Sequence, residues 1–269
     1  MSRAGVVADR RRPDSRRTEA AFLWLPLVVL SLLGKTVFAS DESVSDQLWF
    51  NYILAFPRSE KLYLEVDFEA AAQVSGGEPW GYLYTTGLAE YYITRYVDLT
   101  GELLGGYTEQ RAGEDSFELA GRFGFRLHLL SPVLDHFGWE RVPSGRIGLA
   151  NLARIEPRRF WYDSGRSSSG DVRFRNRIEL RAALNRETMA ADGVWVFLTD
   201  YELFWTIGGS AAPDERFSTK SRWRIGFDYR HSYRWRYSLL FQRDRARDTL
   251  DDPFNVDAYA LDFRIKMFF

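Results

Sequence analysis

The residues best suited to catalysis in this 269-residue chain are its three histidines, His128, His136 and His231. Hydrolytic chemistry would need a histidine within hydrogen-bond reach of a nucleophile and of an orienting acid. His128 lies three residues before Ser131, and His231 precedes Ser232. Each histidine falls at or beside a predicted connection at one end of the molecule, and no such group assembles at the other end. The sequence therefore predicts no catalytic residues and no enzyme.

Composition restricts the other kinds of chemistry. The chain has no cysteine and no clustered histidines, so we expect no disulfide framework, no metal site and no cofactor. The formal net charge is −1. The first 39 residues hold seven basic and three acidic residues, which leaves the remainder near −5. No basic excess points to a nucleic-acid partner.

Charged side chains recur at alternate positions along predicted strands, which places them on one face of each strand. The acidic set is Glu65, Asp67, Glu69, Glu90, Asp98 and Glu102. The basic set is Arg122, Arg126, Arg154, Arg173, Arg175, Arg177, Arg181, Arg222, Arg224 and Arg264. An arginine against lipid at the bilayer midplane costs about 2–4 kcal/mol. In a membrane barrel these residues must therefore line the interior.

Two arrangements of that interior remain open at this stage. Opposite charges on neighbouring strands could pair into a closed, packed polar core. Alternatively, an acidic wall on the early strands could face a basic wall across a narrow water-filled pore, with a transverse field that favours anionic or zwitterionic solutes.

The elements that carry these charges are long alternating strands. In the last eleven residues, Tyr259–Phe269, large apolar side chains occupy every second position and mostly polar ones the positions between. Similar runs, most of ten or more residues, recur along the chain, and no stretch shows convincing helical periodicity. Such runs are longer than soluble strands usually are and suit tilted membrane spans. The prediction is an all-β, antiparallel transmembrane barrel of the outer membrane, with about 10–12 strands. We count about eleven. Because bacterial barrels have even numbers we predict twelve, with one strand missed or the first segment joined differently, and an odd barrel with parallel first and last strands is the remaining alternative.

Both ends of the chain fit export to the outer membrane of a Gram-negative bacterium. Residues 1–39 combine an arginine-rich start, an apolar stretch and small residues before Ser40, which predicts a cleaved secretory signal peptide. Residues 40–269 are predicted to form one barrel domain. Phe269 ends the chain on an exposed aromatic, and we interpret it as the assembly signal. A C-terminus in the periplasm puts most of the longer connections outside.

Several stretches resemble an uncharacterised family of outer-membrane barrels catalogued as domain of unknown function twenty-four-ninety. The resemblance covers most of the mature chain. It rests on Leu48-Trp49, Asn151–Glu156, Arg158-Arg159-Phe160, Arg173–Leu180, Tyr201–Phe204 and the terminal strand. It implies an outer-membrane barrel and carries over no catalytic residue.

The function expected from the sequence is a narrow channel for small anionic or zwitterionic solutes. A closed structural barrel with a salt-bridged core, acting in envelope integrity, is the first alternative, and a lipid-modifying enzyme is the second. The expected partners are outer-membrane lipids, lipopolysaccharide and, during biogenesis, the barrel-assembly machinery. The sequence leaves the oligomeric state open.

Overall fold

The computed structural model describes residues 44–76, 80–110, 114–130, 145–163, 165, 167–209, 221–246 and 256–269. The predicted signal peptide, residues 1–39, lies outside these ranges. Among the described residues, no helix is long and apolar enough to cross a membrane. The strands are β1 Val44–Pro57, β2 Leu62–Ser75, β3 Trp80–Tyr92, β4 Val97–Gln110, β5 Ser116–His128, β6 Ile147–Tyr162, β7 Ser169–Ala183, β8 Val194–Gly209, β9 Ser221–Arg230, β10 Trp235–Ala246 and β11 Val256–Phe268.

These strands form one closed barrel. Each strand pairs antiparallel with the next, and β1 closes the barrel by pairing in parallel with β11 from Val44↔Asp257 to Ala55↔Phe268. The prediction of an all-β barrel with about 10–12 strands is confirmed, whereas the choice of twelve is wrong, since the described residues form eleven strands and close in parallel. An antiparallel closure demands an even number of strands. A parallel ladder with evenly spaced, slanted hydrogen bonds removes that demand.

The connections divide between the two ends of the barrel. Residues 58–61, 93–96 and 231–234 make short turns at the end that holds Phe269, and residues 184–193 make a longer connection there. β5 ends and β6 begins at the same end. In the first of these turns, the Arg58 amide donates to the Leu62 carbonyl oxygen at 2.9 Å. All the histidines of the described residues lie at this C-terminal end.

The two faces of the barrel wall differ in chemistry. Large apolar side chains on the outer face are exposed to a large fraction, for example Leu103 and Phe123 at 63% and Ile178 at 51%. Intervening residues such as Glu102 and Arg175 point into the lumen and are buried. The period-two alternation of side chains therefore gives an apolar outer belt around a charged interior.

The parallel seam between β1 and β11 is fixed on both of its faces. In the lumen, Asn51 Nδ2 donates a hydrogen bond of 2.9 Å to Asp262 Oδ1, and the two residues are only 2% and 0% exposed. On the outer face, the rings of Phe50 and Phe263 lie 5.9 Å apart between centroids. A polar contact inside and an aromatic contact outside together set the register of the seam.

The last residue extends this seam. The Phe269 amide donates to the Ala55 carbonyl oxygen at 2.9 Å, and its ring stacks on that of Phe56 at 5.1 Å. The side chain is still 58% exposed, so its apolar surface remains available at the outer edge of the wall. Its role as an assembly signal stays a prediction.

The seam hydrogen bond provides a first prediction. Asn51→Leu keeps the approximate shape of the side chain but removes the amide donor from the buried Asp262 carboxylate. Leaving a buried acceptor without its partner costs about 1–3 kcal/mol. Urea titration of the protein refolded in lipid vesicles should show a loss of that size in the free energy of unfolding. Thr85→Val, on the outer face, is the control, and equal stability of both variants would contradict the role of this contact.

Candidate functional site: the charged lumen

The interior holds a cavity of about 560 Å³ that is bordered by every strand of the barrel. The predicted interior residues that line it are Glu65, Asp67, Glu69, Glu90, Glu102, Arg122, Arg126, Arg154, Arg173, Arg175, Arg177, Arg181, Arg222, Arg224 and Arg264. Asp98, the remaining one, is 2% exposed and hydrogen-bonds to His128. The structure thus brings the predicted charges around one space.

The centre of the lumen is occupied by what we call the central network, which consists of Glu102, Arg122, Arg154, Glu156, Arg173, Arg175 and Glu202. Glu156 is its first hub: it accepts from Arg122 Nε at 2.5 Å, from Arg173 Nε at 2.7 Å and from Arg175 Nη1 at 3.0 Å. Its side chain is 0% exposed. Three guanidinium groups thus surround one carboxylate that water does not reach.

Arg154 joins the two sides of the central network. Its Nη1 donates to Glu102 Oε1 on β4 at 2.6 Å, and its Nη2 donates to Glu202 Oε1 on β8 at 2.9 Å. Arg154 and Arg175 are directly opposite each other in the register of β6 and β7, an arrangement that would be repulsive alone. Glu202 Oε1 also accepts from Arg175 Nε at 3.0 Å, so one carboxylate lies between the two arginines and offsets their repulsion.

The absence of a side chain at Gly124 makes room for the Arg154 side chain against the barrel wall. Gly124 is paired with Arg154 across β5 and β6. A Cβ added at Gly124 would lie 2.0 Å from the Ala153 carbonyl oxygen and 2.7 Å from the Arg154 Cγ. The missing side chain lets the stem of Arg154 lie against the strand. The strand alternation identifies Arg154 as interior but gives no sign that Gly124 makes room for it.

The other side of the lumen is closed by an arginine packed on aromatic rings. Arg222 donates from Nε and Nη2 to the two carboxylate oxygens of Asp244, each at 2.9 Å. Its guanidinium carbon also lies 4.9 Å from the ring centroid of Trp49, which belongs to β1. Trp49 in turn packs in a buried cluster with Trp80 and Tyr82. The contact of Arg222 with Trp49 thus joins β9 to β1 through the lumen, past β10 and β11.

The surface that the cavity presents is more basic than the lumen as a whole. Thirteen basic and ten acidic side chains line it. Further carboxylates, including Glu156, Asp171 and Asp262, are 0–5% exposed behind the arginines that they bind. Arginine is longer than aspartate or glutamate, so the guanidinium groups reach into the space while the acids stay near the wall. The use of these walls for conduction stays a prediction.

One pair of potential catalytic groups was missed from the sequence. His128 Nε2 lies 2.6 Å from Asp98 Oδ2, and the side chain of His128 is 36% exposed while that of Asp98 is 2% exposed. A buried acid that orients a half-exposed imidazole is the arrangement of a general base. The strand pattern could have predicted this pair, because Asp98 and His128 both point inward on consecutive strands near the same end of the barrel. His231 is exposed in a turn, and His136 lies outside the described residues.

Among the described residues, no group of three or more histidine, aspartate or glutamate side chains is arranged to hold a metal ion.

Comparisons with known proteins give one informative result. No family model matches the chain, and no curated protein matches it; the resemblance to the family of unknown function stays a prediction. Among solved structures, LpxR from Salmonella typhimurium is similar with a TM-score of 0.50. The two chains are 8% identical, and the match covers 81% of this chain and 87% of LpxR. The similarity is one of fold, that of an outer-membrane β-barrel.

This comparison corrects the exclusion of an enzyme. LpxR is a lipid A deacylase, so a barrel of this kind can carry enzymatic activity. The exclusion of an enzyme from the sequence was therefore wrong, because this fold also occurs in an enzyme. That prediction relied on the spacing of residues along the sequence. Such spacing does not reveal side chains such as those of Asp98 and His128, which come into contact only because their strands are neighbours.

The hub position of Glu156 leads to a second prediction. Glu156→Gln is nearly isosteric, but it leaves three guanidinium groups without their common counter-charge. Breaking a buried ion pair by removing one partner costs about 3–5 kcal/mol, and we expect a loss of that order in the free energy of unfolding measured by urea titration. Glu109→Gln, at an exposed position, should have no measurable effect. Equal stability of the two variants would contradict the network.

Proposed function

We propose that the protein is an outer-membrane barrel whose lumen is closed at mid-height by the central network. The surfaces that could contact other molecules are then its two ends and its lipid-facing wall. The observation that carries the proposal is the burial of the central network. Arg154 is only 5% exposed although it reaches from Glu102 on β4 to Glu202 on β8, whereas an arginine that projects into an open pore would be in contact with water. In this role the barrel contributes to the integrity of the envelope.

Location in the outer membrane is part of the proposal. The apolar outer belt suits contact with lipid. The expected partners are outer-membrane lipids, lipopolysaccharide and the machinery that assembles barrels, with Phe269 as the recognised residue. The C-terminus would face the periplasm, which puts His128 and the short turns on that side.

The third prediction tests closure by conductance. In planar bilayers the wild-type protein should give no steady current. Arg154→Ala combined with Arg175→Ala removes two long side chains from the central network and takes from Glu202 both of its arginine ion-pair partners, so water and ions should enter and a current should appear. Arg58→Ala combined with Arg95→Ala, in turns at the C-terminal end, is the matched control and should stay silent.

Folding of each variant is checked by heat-modifiable migration on gels before the measurement. A steady current through the wild-type barrel would contradict closure and would support the channel predicted from the sequence. In that case the arginines that line the cavity would set its selectivity for anions.

A second candidate function is that of a lipid-modifying enzyme, with His128 as the general base and Asp98 as the residue that orients it. Two observations favour it: the fold is similar to that of a lipid A deacylase, and the two side chains form an acid–imidazole pair at 2.6 Å. His128 is the last residue of β5, and its half-exposed side chain lies at the rim of the C-terminal end, so phospholipids of the inner leaflet are the candidate substrates.

The fourth prediction follows from this candidate. Cells that produce the wild-type protein should show altered phospholipid acylation by mass spectrometry of lipid extracts. His128→Ala should abolish the alteration, because an alanine cannot accept a proton. His231→Ala, an exposed histidine at the same end, should leave it unchanged. Identical lipid profiles with and without the wild-type protein would rule out this function.

A further inference from the structure

Three basic residues stand side by side on the inner face of the barrel near its C-terminal end. Arg230 on β9 is directly opposite Arg236 on β10, and Arg236 is directly opposite Lys266 on β11. Like charges directly opposite each other on neighbouring strands destabilise a sheet. Arg236 therefore has a positive neighbour on both sides. A fourth cation, Arg181, adds to the repulsion felt by Arg236 and Lys266.

Three of these four cations have a carboxylate partner. Lys266 pairs with Glu65, Arg181 Nε lies 2.9 Å from Glu179 Oε1, and Arg230 Nε lies 3.8 Å from Asp192 Oδ1. Within the described parts of the chain, Arg236 forms no ion pair or hydrogen bond through its side chain. It lies over the ring of Phe268, 5.6 Å from the centroid. Asp228 attracts it only from beyond ion-pair distance.

This group is open to solvent, in contrast to the central network. The side chain of Arg181 is 36% exposed, and those of Arg230 and Lys266 are each 20% exposed. The ion pairs of the central network between Arg154, Arg175 and Glu202 involve side chains that are at most 7% exposed. Arg236, Arg181, Lys266 and Tyr63 also line the cavity. A small solute at the C-terminal end could therefore reach these cations.

We propose that Arg236, together with Arg181, Arg230 and Lys266, binds a small soluble oxyanion of the phosphate class. Arginine presents five N–H donors in a planar fork that suits phosphate oxygens, and those of Arg236 have no acceptor among the described residues. An anion with more than one charge neutralises several converging cations at once, which chloride does not. The ligand is a solute and not a lipid headgroup, because these side chains face the lumen.

The fifth prediction concerns binding of inorganic phosphate to the full chain refolded in detergent, measured by isothermal titration calorimetry at constant ionic strength. Wild-type protein should bind phosphate and sulfate in preference to chloride. Arg236→Gln should weaken phosphate binding by about tenfold or more, since one charged bidentate contact is lost. Arg95→Gln, an exposed arginine in a turn at the same end, is the matched control and should bind like the wild type.

Thermal unfolding separates this role from a structural one. Without phosphate, Arg236→Gln should unfold at a higher temperature than the wild type, because the like-charge repulsion on both sides is relieved. Phosphate should raise the unfolding temperature of the wild type by more than that of Arg236→Gln, because the variant binds it more weakly. Equal binding of phosphate and chloride by the wild type, or a lower unfolding temperature of Arg236→Gln in phosphate-free buffer, would overturn the proposal. The wild-type anion comparison decides the question even if the variant does not fold.

Discussion

A charged side chain in the interior of a barrel must find an opposite charge or water, and the architecture of this lumen depends on that constraint. Removing an isolated charge from water costs several kcal/mol or more even after relaxation. Glu156 and Glu202, both fully buried, meet the constraint through guanidinium groups supplied by β5, β6 and β7. Ion pairs between side chains of several strands also hold those strands in one register. The strand pairing of the wall and the ion pairs of the lumen therefore stabilise each other.

The alternation of side chains was sufficient to predict which residues face the interior. It separates Glu102 and Arg175 from exposed neighbours such as Leu103 and Ile178, because a charge against lipid is far more costly than one in a polar lumen. It also indicated about eleven strands, but it could not show how the barrel closes, and the even-number rule then led to the wrong prediction of twelve. The seam between β1 and β11 joins residues such as Asn51 and Asp262 that are 211 positions apart, and a local pattern contains no information on such a pairing.

The pairing of individual charges was equally beyond a local pattern. Whether an arginine meets a carboxylate depends on the stagger between strands, which is a property of the closed barrel. Arg175 and Arg236 look alike in sequence, yet the first contacts two carboxylates and the second none within the described residues. The same limitation hid the contact of Asp98 with His128 and led to the incorrect exclusion of an enzyme.

The parallel closure has a consequence for the orientation of anything attached to the barrel. In a barrel with an even number of strands, the first strand begins and the last strand ends at the same rim. Here Val44 and Phe269 lie at opposite rims, because β1 and β11 run in the same direction. A peptide tag placed before Val44 and a tag placed after Phe269 would therefore stand on opposite sides of a membrane. One chain could display two different labels, one to each compartment.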